Sequence, residues 1–134
     1  MIGYAYLWDR EHDAGADEGR KDRPCAIIVT TLDTDGDTVV YIAPIIHTSP
    51  RSSEDAVEIP PKVKRRLKLD GDRSWVVTTE INRFIWPGYD LRPIRRDRPE
   101  DFVYGFLPID LLEAIKTQII NHRRKRSLQI IART

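Results

Sequence analysis

Two apolar runs of nearly equal length, residues 24–32 and 38–46, flank Asp33-Thr34-Asp35-Gly36-Asp37. The Asp-Gly step supplies the left-handed backbone that a tight strand reversal needs. The β-branched residues on either side favour extended chain. An antiparallel hairpin in the first third of the chain is therefore the constraint around which everything else must fold. The run 24–32 has almost no polar alternation over its first half, so it reads as a strand buried on both faces.

The remaining segments are short and well punctuated. Residues 3–8 are aromatic and apolar and read as a first strand. Residues 9–23 form a charged loop with Gly15 and Gly19, long enough to suggest a functional role. After the hairpin comes the polar loop His47-Thr48-Ser49-Pro50-Arg51-Ser52-Ser53, then a short strand over 56–59 closed by Pro60-Pro61. A short basic helix over 62–68 and a strand over 74–81 continuing toward Trp86 follow. Pro87-Gly88 ends that strand, and residues 89–101 are Arg- and Asp-rich loop with a short pairing near Leu91. A strand over 103–107 leads to Pro108, which fits a helix start. Leu111, Leu112, Ile115, Ile119 and His122 fall on one face at helical spacing, which predicts a long helix over 108–124. Residues 128–132 read as a last strand. Short strands with one C-terminal helix predict an α+β, mainly β chain: a bent antiparallel sheet or part-barrel with the helix over one opening.

At 134 residues the chain is expected to be a single domain, 1–134, with room for a real core. The one cysteine, Cys25, has no internal disulfide partner and sits in an apolar run, so it reads as a buried hydrophobe. No Cys/His cluster has zinc spacing, and no metal or cofactor is expected. The first residues lack the basic start of a secretory signal, and no run has membrane-spanning length. The expectation is a cytoplasmic protein. Charge is divided unevenly: residues 1–60 carry 5 Lys/Arg against 12 Asp/Glu, and residues 61–134 carry 17 against 9. The basic half has its densest zones at Lys62–Arg73 and His122–Arg126, which suit either a polyanion or a solvated helix surface.

The step Arg23-Pro24 carries most of the functional signal. Proline suits the first position of a strand because it has no N–H to give. It also holds the residue before it extended. Arg23 is thus fixed at a strand mouth, with Glu18 five residues upstream and able to fold back on it. A positioned guanidinium fork matches phosphate or carboxylate oxygens. A structural ion pair is the plainer role for the same residue.

Taken in order, these pieces resemble the PemK/MazF toxin family of bacterial toxin–antitoxin systems. The likeness rests on the aromatic first strand ending Trp8-Asp9, Glu18, Lys21-x-Arg23-Pro24 and the apolar strand 26–29. It continues through Pro44-Ile45, Val57-Glu58-Ile59-Pro60, a basic helix before Leu69-Asp70, Ser74-Trp75-Val76-Val77, Glu80 and the closing apolar helix. The resemblance implies an SH3-like small barrel and a homodimer. It implies a metal-independent, sequence-selective endoribonuclease that cleaves mRNA. It also implies a cognate antitoxin, whose acidic segment would lie across the 18–23 and 47–53 loops.

By the same resemblance, Arg23 stands at the catalytic arginine and Glu18 at the acidic residue before it. The family's catalytic threonine ends the third strand, where this chain has Ile46. The polar role then falls to His47 or Thr48. Cleavage by the ribose 2′-OH needs a proton acceptor, a charge stabiliser and a proton donor. Imidazole is the side chain best matched to proton transfer near neutrality, which makes His47 the candidate base or acid. Arg23 suits the charged phosphorane, Thr48 donates to phosphate, and Glu18 orients Arg23 or takes a proton. Lys21, Ser49, Arg51 and Glu80 are the candidate substrate-binding residues. Trp75 and Trp86 are stacking platforms for bases or else core residues. The alternatives are a non-catalytic growth inhibitor that binds a protein target such as DNA gyrase, and a nucleic-acid-binding module using the basic half.

Overall fold

The computed structural model describes residues 1–4, 6, 23–69, 71–86, 91 and 105–133. Seven strands form one connected sheet: β1 (Ile2–Tyr4), β2 (Arg23–Leu32), β3 (Thr38–Ile46), β4 (Ala56–Glu58), β5 (Trp75–Val77), β6 (Glu80–Ile85) and β7 (Gln129–Ala132). Helix α1 (Pro61–Arg66) lies between β4 and β5, and α2 (Ile109–Arg124) precedes β7. The chain is mainly β with a C-terminal helix, as the hydrophobic pattern predicts.

The hairpin β2–β3 is the spine. It runs from Cys25↔Pro44 to Leu32↔Thr38 and is closed by the 33–37 turn, where Gly36 has φ 82° and the Asp33 carboxylate accepts from the Asp35 and Asp37 N–H groups at 2.9 Å. β3 changes partners along its other edge. Its first half pairs with β6 through Ile42↔Asn82, and its last two residues pair with β5. Pro44 sits at this change, where the missing N–H costs no ladder bond. The sheet therefore bends there, and β3's end is carried away from β6 toward β4 and β5.

Every pairing is antiparallel except β6–β7, which runs parallel from Glu80↔Gln129 to Arg83↔Ala132. The helix supplies the crossover that a parallel neighbour requires. The 74–81 segment is two strands, not one. The break falls at Thr78, whose N–H donates to the Asp55 carbonyl at 2.9 Å and whose hydroxyl donates to Gln118 Oε1 at 2.8 Å. Residues 105–107 are not strand; Gly105 has φ 137°, and a Cβ there would stand 2.9 Å from Leu67. Leu91 makes a single bridge to Tyr4.

The two faces of β3 feed two cores. Ala43 and Ile45 join Ile28 and Val76 beneath Leu111, Ile115 and Ile119 of α2. Val40 and Ile42 join Ile2, Tyr4, Cys25 and Phe84 on the other face, where the Tyr4 and Phe84 rings stack at 4.7 Å. Full burial of one such side chain contributes about 1.5–3 kcal/mol. The strand over 24–32 is buried only as far as Ile28; Val29 to Leu32 are exposed. A β-bulge between Ile27 and Val29 marks the transition, and β1 covers β2 only at Arg23–Cys25. No helix among the described residues is long and apolar enough to cross a membrane.

Candidate functional site

The mouth of β2 and the end of β3 lie side by side, because the hairpin register sets Cys25 opposite Pro44. Arg23 Nη1 donates to the Ile45 carbonyl at 3.4 Å, which carries the guanidinium across that end of the hairpin. The 47–53 loop leaves β3 there, and β6 begins nearby at Glu80. Together they enclose a groove of about 900 Å³. Six of the residues singled out from sequence line it: Arg23, His47, Thr48, Ser49, Arg51 and Glu80. Glu18 and Lys21 lie outside the described residues. Asp55 and Thr79 also line the groove and were missed by sequence reading, since an aspartate in a polar loop and a threonine in a strand carry no special signal.

His47 is exposed, but its ring is held. Nδ1 lies 3.0 Å from the Arg73 carbonyl and 3.2 Å from Ser74 Oγ, and that hydroxyl donates to the Asp72 carbonyl at 3.4 Å. Arg73 is itself fixed. Its Nε and Nη2 donate to both Glu58 carboxylate oxygens at 2.8 Å, and its guanidinium lies 4.9 Å over the Trp75 ring. The hydrogen bond from Arg73 holds the Glu58 carboxyl below the ordinary carboxylate range, and the same bond raises Arg73. Trp75 is buried under that cation, which makes it a core residue rather than a stacking platform, and the half-buried Trp86 packs at the edge of the second core with its ring 6.1 Å from Phe84.

The 52–55 segment, whose Asp55 lines the groove, is braced by the C-terminal helix. Gln118 Nε2 donates to the Ser53 carbonyl at 2.9 Å. The buried His122 donates through Nε2 to the Glu54 carbonyl at 2.7 Å, with Asp55 Oδ1 3.5 Å away. Gln118 and His122 thereby hold the backbone that carries Asp55 to the groove.

Behind the groove lie Tyr6 and Cys25. Burial pushes the Tyr6 phenol far up; Glu80 adds to the effect, and Arg23 opposes it. Burial likewise pushes the Cys25 thiol up, with Arg23 again opposing. Neither group ionises near neutrality, so neither is the groove's nucleophile. What the groove does offer is two guanidinium groups, an imidazole, hydroxyls on Thr48, Ser49 and Thr79, and two carboxylates. Ile46, which closes β3, contributes an apolar wall among them.

No family model matches the chain, and neither a curated protein nor a solved structure matches it.

Proposed function

We propose that this chain is a metal-independent endoribonuclease of the PemK/MazF type, an SH3-like barrel acting as the toxin of a toxin–antitoxin pair in the cytoplasm. The observation that carries this reading is the convergence of Arg23 with His47, Thr48 and Ser49 on one groove. In this mechanism His47 takes the 2′-OH proton of single-stranded RNA. The 2′ oxygen attacks the adjacent phosphorus, the bond to the 5′ oxygen breaks, and that oxygen takes its proton from water while the His47 imidazolium returns its own to solvent. The products are a 2′,3′-cyclic phosphate and a 5′-OH end. Arg23 and Arg51 face the developing negative charge, where a guanidinium fork outperforms a point charge. Thr48 and Ser49 donate to non-bridging oxygens, and Glu80 holds the cation side of the site in place. An acidic antitoxin segment would compete for the same cations.

The test is cleavage of a long mixed-sequence RNA in EDTA, with primer extension to map the ends. Cuts at a recurrent motif, lost in Arg23→Ala and at a 2′-deoxy substitution of the cut nucleotide, support the reading. Ile46 favours a second one. An isoleucine where the resemblance expects the catalytic threonine makes part of the groove apolar, as a protein-binding surface would be. Intact RNA together with growth arrest in cells would favour an inhibitor that binds a protein target such as DNA gyrase.

A further inference from the structure

A second concavity, about 460 Å³, shares no lining residue with the groove. It lies between α2 and the sheet. Successive residues of a strand point to opposite faces, yet Ile28 and Val29 both line it, because the bulge between Ile27 and Val29 resets the alternation. Ile28 and Ile119 are buried parts of its lining. Val29, Ile120 and Ile130 remain 42%, 47% and 51% exposed, a concentration of large apolar side chains at one surface.

The charge of this crevice is one-sided. Lys116 and Arg123 line it from the helix face of Ile120, at i, i+4 and i+7. Lys116 is half-buried, which suits an alkyl stem laid along apolar surface with its ammonium at the rim. Neither cation makes an ion pair among the described residues. No Asp or Glu among the described residues lines the crevice, in a chain that has 21 of them, and its other polar lining residues, Thr31 and Tyr41, are uncharged.

An apolar trough with cations and no carboxylate selects a ligand that is apolar along its length and anionic at one end. The volume falls in the range of small-ligand pockets, roughly 300–1,000 Å³. A guanidinium fork takes both oxygens of a carboxylate. Three exposed apolar side chains fall well short of the roughly 800 Å² per partner that a standard protein interface buries. One hydrocarbon chain is enough to remove them from water.

We propose that the crevice binds a single-chain acyl carboxylate, its chain against Val29, Ile120 and Ile130 and its carboxylate facing Lys116 and Arg123. The inference is independent of the RNA-cleavage reading. Calorimetric titration of the full chain with sodium decanoate tests it, with decanol and decylammonium as controls. Decanoate should bind one per chain with a Kd of about 10–100 µM. Decanol and decylammonium should bind at least about tenfold more weakly. Lys116→Gln/Arg123→Gln should weaken decanoate at least about tenfold and leave decanol unchanged. Ile120→Trp, which fills the crevice from an exposed position, should abolish binding of both. Amide NMR shifts on adding decanoate should fall on Val29, Ile120 and Ile130 and spare Thr48 and Ser49. No decanoate heat below its micelle concentration, equal binding of decylammonium, binding unaffected by both variants, or shifts confined to the groove overturns the proposal. So does an Ile120→Cys protein that resists maleimide and binds no decanoate, since another chain would then cover the crevice.

Discussion

His47 Nδ1 lies 3.0 Å from the carbonyl oxygen of Arg73. A carbonyl only accepts, so Nδ1 carries the proton in this contact. The neutral ring then has its lone pair on Nε2. The Arg73 carbonyl, just before β5, thus selects the tautomer that the proposed general base needs.

Replacing His47 with Ala should lower RNA cleavage by about 10²–10⁴-fold if it transfers the proton. Ser74→Ala should cost no more than about tenfold, the value of one hydrogen bond. Nitrogen-15 spectra of the imidazole should show Nδ1–H dominant in the wild type and still dominant in Ser74→Ala, which keeps the Arg73 carbonyl. Cleavage by His47→Ala at the wild-type rate would remove His47 from the chemistry. An Nε2–H ring in the wild type would remove the tautomer argument while leaving cleavage to be judged separately.

The clamp behind His47 should respond to acid. Arg73 depresses the Glu58 carboxyl in the folded state. A depressed folded value means the stabilisation is present above the unfolded value and lost as pH falls through the folded one. The clamp is therefore intact at neutrality and releases only below its ordinary value of 4.5. Wild type should melt above Glu58→Gln at neutral pH, by a small margin because both partners are exposed. The two melting curves should converge as the pH falls well below 4.5. A gap independent of pH would mean that the Glu58 charge is not its source.

The hairpin, most of the strands and the C-terminal helix were legible because their signals are local: an Asp-Gly turn, β-branched runs and a helical apolar stripe. Arg23 and the 47–51 loop, which line one groove, stood out through Pro24 and the polarity of the loop. The partner change at Pro44 was not, because it depends on which strands arrive on either side of β3. The exposure of Val29–Leu32 was hidden for the same reason: an apolar run does not say where its cover stops. Arg73 and Ser74 behind His47, and His122 behind Glu54, act across 26, 27 and 68 residues of sequence, beyond the reach of any spacing rule.

Cys25 should be inert in the folded protein. It is fully buried and its thiol is pushed up by desolvation, so little thiolate exists to react. Labelling with a charged maleimide at pH 8 should proceed only as fast as the protein opens, and at once in denaturant. Rapid labelling of the native protein would show that the β1–β2 face opens readily.

Helices α1 and α2 end in the same way, and the ending carries strain. After α2, Arg126 has φ 58°, its N–H bonds to the Arg123 carbonyl at 3.1 Å, and the Ser127 N–H bonds to the His122 carbonyl at 2.8 Å. After α1, Lys68 has φ 57°, with bonds from Lys68 to Arg65 and from Leu69 to Lys64. These are Schellman endings, in which glycine is favoured because a Cβ costs about 1–2 kcal/mol in the left-handed region. A cation at this position recovers part of that cost against the helix dipole. Comparison with Ala separates the two effects, since Ala and Gly both lose the charge and only Ala keeps the Cβ. Arg126→Gly should therefore be more stable than Arg126→Ala by about 1 kcal/mol in urea melts, and Lys68 should behave alike. Equal stability of the Gly and Ala variants would mean that the left-handed turn relaxes when the side chain is shortened.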